Sequence, residues 1–244
     1  MRRIEGRNPV LEAISAGQKI KSIVIQKGFK GKIIDDIINE AEKKKIPVQI
    51  VPKKEVDKMA DSSNHQGIIA QAEEFNYVHF DDILNYAKER KEPPFVVILD
   101  RIQDPHNLGS IIRTANAAGA HGVIIPKHRA VDITPVVTKA SSGAVEYTRV
   151  AKVTNIARTI DLLKEEGLWI AGSGMEGSQT IYQADLKGPL GLVVGNEGGG
   201  MRRLVREKCD FIVKVPMVGQ IESLNASVAA GVMIFEAVRQ RSAK

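Results

Sequence analysis

From residue 95 onward, short apolar runs recur at intervals: FVVILD, GVIIP, LWIAGS, LGLVVG and FIVKVP. Uninterrupted Val/Ile/Leu runs of this kind need cover on both faces, which specifies strands of a mostly parallel sheet rather than of a half-exposed antiparallel one. The cover is supplied by stretches of helical spacing between them, roughly LGSIIRTANAAGA, TPVVTKASSGA, NIARTIDLLKEEG and SLNASVAAGVMIFEAVRQR. The expected fold class is therefore α/β over residues 95–244. In open sheets of this class ligands bind beyond the carboxyl ends of the strands, so the residues that follow each run are where a site is expected.

The first 74 residues form a smaller pattern of their own. NPVLEAIS has helical spacing, KSIVIQ is strand-like, and GKIIDDIINEAEKKK puts Ile33, Ile34, Ile37, Ile38 and Ala41 on one helical face before ending in lysines that suit a helix C-terminus. IPVQIVP, KKEVDKMAD and QGIIAQAE continue as strand, short helix and strand. The expected division is a small α/β unit over 1–74, a linker over 75–94 around a helix at FDDILNYAKER, and the larger domain over 95–244.

Charge separates the same two parts. Residues 1–70 carry 14 Lys and Arg against 9 Asp and Glu, whereas residues 71–244 carry 21 against 20. A basic segment on a near-neutral body fits a polyanion-binding module attached to a working domain, and equally a lysine-rich solvated surface. Phe29 is the only Phe, Tyr or Trp in that segment, so phosphate contact and shape are better expectations there than base stacking. No apolar run reaches the roughly eighteen residues that cross a bilayer, and no signal core follows the basic start, which reads as a cytoplasmic chain. Cys209 is the single cysteine, so an intrachain disulfide and a thiolate metal cluster are excluded and the thiol is expected to behave as a small buried hydrophobe; no metal site is expected.

Three strand ends carry polar clusters. VVGNEGGGM runs from a strand into glycines, the grammar of a loop that lets a ligand approach backbone, yet Glu197 sits within it. A carboxylate there repels phosphate. The loop also fails the dinucleotide spacing, because Glu197 stands where the second glycine belongs, and it fails the P-loop, because Met201 and Arg202 follow Gly200. A cationic ligand or a hydroxyl donor suits it better. After FVVILD, Asn107 stands near a helix start, where N-capping would account for it. Arg113 and Asn116 share a helical face, and Arg113 lies among small and apolar residues, where a buried or cleft-lining cation points to function. In VPMVGQIESLNAS, Ser223 reads as an ordinary N-cap, a role that leaves Asn225 unexplained.

DPHNLGSIIRTANAAGA, LVVGNEGGGM and VPMVGQIESLNASVAAGVMIFEAVRQR together resemble the three signature motifs of the SpoU (TrmH) family of RNA ribose 2′-O-methyltransferases, in the SPOUT superfamily. EGRNPVLEAI and HQGIIA are similar to the substrate-binding domain of the subgroup that methylates a guanosine in the peptidyl-transferase loop of bacterial 23S rRNA. The resemblance spans the chain. It implies a ribosomal-protein-like α/β substrate-binding domain, an α/β-knot domain with a deep trefoil knot, S-adenosylmethionine as cofactor and a homodimer with its active sites at the interface. It implies cofactor contacts from backbone at Gly195, Val215 and Leu224. Asn107, Arg113, Glu197, Ser223 and Asn225 become the catalytic and substrate-positioning set, with Arg113 reaching the ribose at the partner's site. Topology rules alone argue against a knot and favour an ordinary doubly wound sheet.

Other readings are a tRNA methyltransferase with the same motifs, a non-catalytic RNA-binding assembly factor, and a nucleotide-dependent oxidoreductase. The full polar set weighs against the second and the failed fingerprint against the third.

Overall fold

The computed structural model describes residues 2–15, 17–60, 65–177 and 179–242. Its chain divides into two units, Met1–Asn76 with Ile133–Lys139, and Tyr77–Asp132 with Ala140–Lys244.

In the first unit the chain runs β1 (Arg2–Glu5), α1 (Arg7–Ser15), β2 (Ile20–Gln26), α2 (Lys32–Lys43), β3 (Val48–Val51), α3 (Lys53–Met59) and β4 (Ile68–Ala72). The sheet order is β1-β4-β2-β3, with β2 and β3 parallel and β4 antiparallel to both its neighbours. The α2 face read from the isoleucine spacing is the buried one, with Ile34, Ile37 and Ala41 in the core and Ile33 and Ile38 partly buried against it. β1 has no apolar alternation in its sequence, RRIE, and owes its strand state to pairing with β4.

The second unit follows with α4 (Phe80–Arg90), β5 (Phe95–Asp100), α5 (Pro105–Ala117), β6 (Gly122–Pro126), α6 (Pro135–Ala140, most of it counted with the first unit), β7 (Val150–Val153), α7 (Ile156–Glu165), β8 (Trp169–Ser173), β9 (Gln179–Thr180), β10 (Leu190–Gly195), α8 (Arg203–Lys208), β11 (Phe211–Lys214) and α9 (Ala226–Ser242). The stretch read as a linker contains α4, whose Ile83, Leu84 and Ala87 are buried. The seven strands are ordered β7-β6-β5-β10-β8-β11-β9, and every pairing is parallel. All six residues of β5 and of β10 are buried. Each buried Val, Ile or Leu side chain contributes about 1.5–3 kcal/mol, so the two central strands anchor the unit. β10 lies between β5 and β8 and carries its glycine loop to the carboxyl edge of the sheet. Among the described residues no helix is long and apolar enough to cross a membrane.

Two helix starts differ from the sequence reading, and neither Asn107 nor Ser223 is the N-cap. At α5 the N-cap is Asp104, whose carboxylate accepts from His106 N at 3.0 Å with Pro105 in the first turn, so Asn107 is not needed as a cap. At α9 the cap is Asn225 and not Ser223: its Oδ1 accepts from Ser227 N at 2.9 Å and Val228 N at 3.3 Å. Ser223 lies in the loop before it.

Candidate active site

The glycine loop after β10 closes on itself. Asn196 N donates to Gly200 O at 3.2 Å and Gly200 N to Asn196 O at 2.8 Å, a two-bond clasp across three residues. Gly195 enters this turn with no room for a side chain, since a Cβ there would stand 2.3 Å from Gly200 C and 2.4 Å from Met201 N. Gly200 leaves it at φ +57°, a left-handed conformation that glycine adopts at low cost. The exit is tied to β5 by Asp100, wholly buried at the strand's end, which accepts from Arg202 N and Arg202 Nε, each at 2.7 Å, and pairs with Arg202 Nη2. A buried carboxylate is tolerable only when satisfied in this way.

Glu197 projects from the clasp and gathers the two helix starts. Its Oε1 accepts from Asn107 Nδ2 at 2.8 Å, from Asn225 Nδ2 at 2.5 Å and from the backbone N of Ala226 at 3.0 Å. Asn225 Nδ2 also donates to Asn107 Oδ1 at 3.0 Å. Residues separated by 90 and 118 positions are thus joined in one network, with Glu197 as a shared acceptor at the N-terminus of α9. That end of a helix favours a negative charge, so the carboxylate that would repel a phosphate is held by its own surroundings. Glu197→Ala would leave Asn107 Nδ2 and Ala226 N without their acceptor and loosen both helix starts; for the cofactor and reaction that the resemblance implies, the expected outcome is a loss of cofactor affinity and methyl-transfer rate together, each by at least about tenfold, given roughly 1–3 kcal/mol per orphaned donor. Calorimetric cofactor titration beside single-turnover assays checks it.

A cavity of about 300 Å³ opens beside this loop. Gly195, Val215 and Leu224 all line it, together with Glu197, Ser223 and apolar Met233. Asn107 and Asn225 stand behind Glu197, outside the lining. Glu176, across the rim, is paired with Arg206 at 2.9 Å.

Arg113 is not part of this cluster. It follows Asn107 by six residues, which puts it about 120° around the helix axis, and its side chain is exposed and donates from Nη1 to Ser142 Oγ at 3.0 Å. The expectation of a buried or cleft-lining arginine is corrected: Arg113 is exposed and is not among the residues that line the cavity of its own chain. Asn116, on the same helical face as Arg113, donates to Thr148 Oγ1 at 3.2 Å. Cys209 is inert by environment: burial, the larger effect, with nearby Asp210 pushes its thiol up to about 12. Sequence reasoning missed the Asp100–Arg202 tie, whose signal was an acid ending an otherwise apolar strand. It also missed Arg101, a non-glycine residue at φ +65° whose buried Nε has no hydrogen-bond partner and whose guanidinium abuts Gly199.

The model of the SpoU rRNA methylase family matches residues 94–235, and that of the RNA 2′-O ribose methyltransferase substrate-binding domain matches residues 3–78. The chain belongs to the SpoU (TrmH) family of RNA methyltransferases. A protein described as a TrmH family tRNA/rRNA methyltransferase of Bacillus subtilis is 46% identical over 238 residues, covering 97% of this chain and 95% of that one. A relative of the same description from Staphylococcus haemolyticus is 48% identical, covering 98% and 95%. Among solved structures, the SpoU methyltransferase AviRb of Streptomyces viridochromogenes in complex with AdoMet superposes with a TM-score of 0.67 at 25% identity, covering 99% of this chain and 91% of that one. An AdoMet-bound rRNA methyltransferase of Sinorhizobium meliloti gives 0.63 at 28% identity, covering 97% and 86%. The fold of this SpoU methyltransferase is the SPOUT fold with an N-terminal substrate-binding domain, and its cofactor is S-adenosylmethionine. The cavity fits that cofactor: a sulfonium nucleoside without phosphate needs apolar walls, close backbone and carboxylates rather than an anion hole, and Val194, Leu224, the glycine loop and Glu176 with Glu197 provide them.

Proposed function

We propose that the chain methylates a ribose 2′-hydroxyl in structured RNA, that of a guanosine in the peptidyl-transferase loop of bacterial 23S rRNA, acting as a cytoplasmic homodimer. The observation that carries this reading is the joining of Asn107, Glu197 and Asn225 into one network beside a cavity lined by Gly195, Val215 and Leu224. Backbone at those three positions holds the cofactor, around which the chain forms a deep trefoil knot. Bound S-adenosylmethionine supplies an electrophilic methyl group. The protein's part is alignment and handling of the hydroxyl proton. Glu197, fixed on one oxygen by three donors, holds the glycine loop and both helix starts in register, while Ser223 on the cavity wall positions substrate. Guanidinium stays protonated at any ordinary pH, so Arg113 does not take the proton; it holds the adjacent phosphate and stabilises the developing alkoxide.

Arg113 is exposed and does not line its own chain's cavity, which supports its service at the partner's site. α9 supports the same reading. Its Ala226, Ala230, Met233, Ile234 and Ala237 are buried in the chain's own core, whereas Val228 and Phe235, two turns apart, are each about half exposed and Leu224, Val232 and Val238 are only partly covered. This second apolar stripe suits a C2 partner. A dimer mass at micromolar concentration is expected by sedimentation, and Phe235→Glu should give a folded, inactive monomer. A fully active monomer would refute the shared site. Mapping of methylated residues in 23S rRNA and tRNA exposed to the enzyme tests the nucleotide assignment.

A further inference from the structure

One end of the first unit's sheet collects exposed cations. Lys27 N donates to Val51 O, Gln26 N to Gly67 O, and Gly6 N to Ile68 O, which brings the ends of β1, β2 and β3 and the start of β4 together. Arg7, Lys27, Lys30, Lys32, Lys53 and Lys54 follow those strand ends directly or open the helices beside them. All five lysines are exposed, and none is in an ion pair among the described residues. Lys32 opens α2 behind Gly31, which offers no capping side chain. A cation at the positive end of a helix is disfavoured by about 0.3–1 kcal/mol, which Asp35 in the same first turn offsets in part.

The opposite end of the same sheet is also lysine-rich, and there three of the lysines have partners within the fold. Lys21 pairs with Glu73, Lys43 with Glu40, and Lys44 donates to the carbonyl of Ile14. The two ends therefore carry similar composition and differ in how many of their lysines have partners within the fold. At the first end Arg7 is fixed, its Nε donating to Gln66 O at 3.4 Å and its guanidinium 4.7 Å above the Phe29 ring, whose tip abuts Gly67. Phe29 is thereby occupied by protein groups, leaving the lysines as the contacts on offer.

We infer that this end, around Arg7, Lys27, Lys30, Lys32, Lys53 and Lys54, is the RNA-docking surface of the first unit, and that it grips RNA through backbone phosphates and not through stacked bases. The inference rests on the RNA-methyltransferase reading and adds which face of the unit meets the substrate. Two triple variants with the same change in net charge test it: Lys27→Gln with Lys30→Gln and Lys53→Gln at this end, and Lys19→Gln with Lys21→Gln and Lys43→Gln at the other. Binding of a 23S rRNA transcript spanning the peptidyl-transferase loop is measured over a salt series, with cofactor binding and a thermal melt of each preparation. The first triple should weaken binding at least about thirtyfold at 0.1 M salt and lower the salt slope by about two, as loss of roughly three phosphate contacts requires. The second should stay within about threefold, and both should bind cofactor and melt like the parent. Equal losses in the two triples, or none in the first, would overturn the surface while leaving the enzyme reading intact. A parent protein that binds cofactor but no RNA would overturn both.

Discussion

Arg113→Ala should lower single-turnover methyl transfer at saturating cofactor by at least about a hundredfold, the scale of losing one preorganised transition-state donor. Its S-adenosylmethionine affinity and melting temperature should barely change. The structure sharpens this contrast, because the side chain is exposed, its hydrogen bond goes to Ser142, and neither residue lines the cavity. A brace of that kind contributes about 0.5–1.5 kcal/mol to stability, too little to abolish the rate by unfolding. If Arg113 acts at the partner's site, mixing Arg113→Ala chains with Glu197→Ala chains should restore part of the activity in the heterodimer, which has one site with both residues intact. Near-normal methyl transfer by a well-folded Arg113→Ala protein would remove Arg113 from the reaction.

Gly195→Ala should do the reverse, abolishing cofactor binding by at least about a hundredfold while costing the fold only the 1–3 kcal/mol typical of overpacking. The new methyl would meet Gly200 C at 2.3 Å and Met201 N at 2.4 Å, backbone atoms that cannot swing aside as a side chain tip can. The clasp between Asn196 and Gly200 must open, and the cavity wall opens with it. β10 itself keeps its pairings with β5 and β8, which begin at Leu190. Gly198→Ala is the control, since a Cβ there meets nothing within 4 Å. Equal cofactor affinity for Gly195→Ala and the parent protein would show that the clasp is not part of the binding site.

The parallel sheet was legible because period and composition agree: β5, β6 and β10 are apolar runs, broken only by Asp100 at the end of β5, and all are buried. The edges were not. β7, VAKV, and β9, two residues long, are strands by virtue of their neighbours and carry no pattern of their own. Within the site, Glu197 was visible as a carboxylate out of place in a glycine loop. What it does there was not, because its partners lie 90 residues upstream and 28 downstream. The capping assignments failed for a local reason. Asp104 and Asn225 are as good N-caps as Asn107 and Ser223, and spacing alone does not choose between candidates two or three residues apart. Asp100 and Arg202 lay outside every motif, since a buried ion pair across 102 residues is written only in the fold.

Transfer of a methyl group to a ribose oxygen is the defining step of the proposed reaction. Purified protein incubated with labelled S-adenosylmethionine and a 23S rRNA transcript, followed by complete nuclease digestion and mass spectrometry of the nucleosides, reads this directly. The predicted product is 2′-O-methylguanosine, protected from alkaline cleavage at a single position in the peptidyl-transferase loop. Label on a base, or RNA bound without methyl transfer at saturating cofactor, would contradict it.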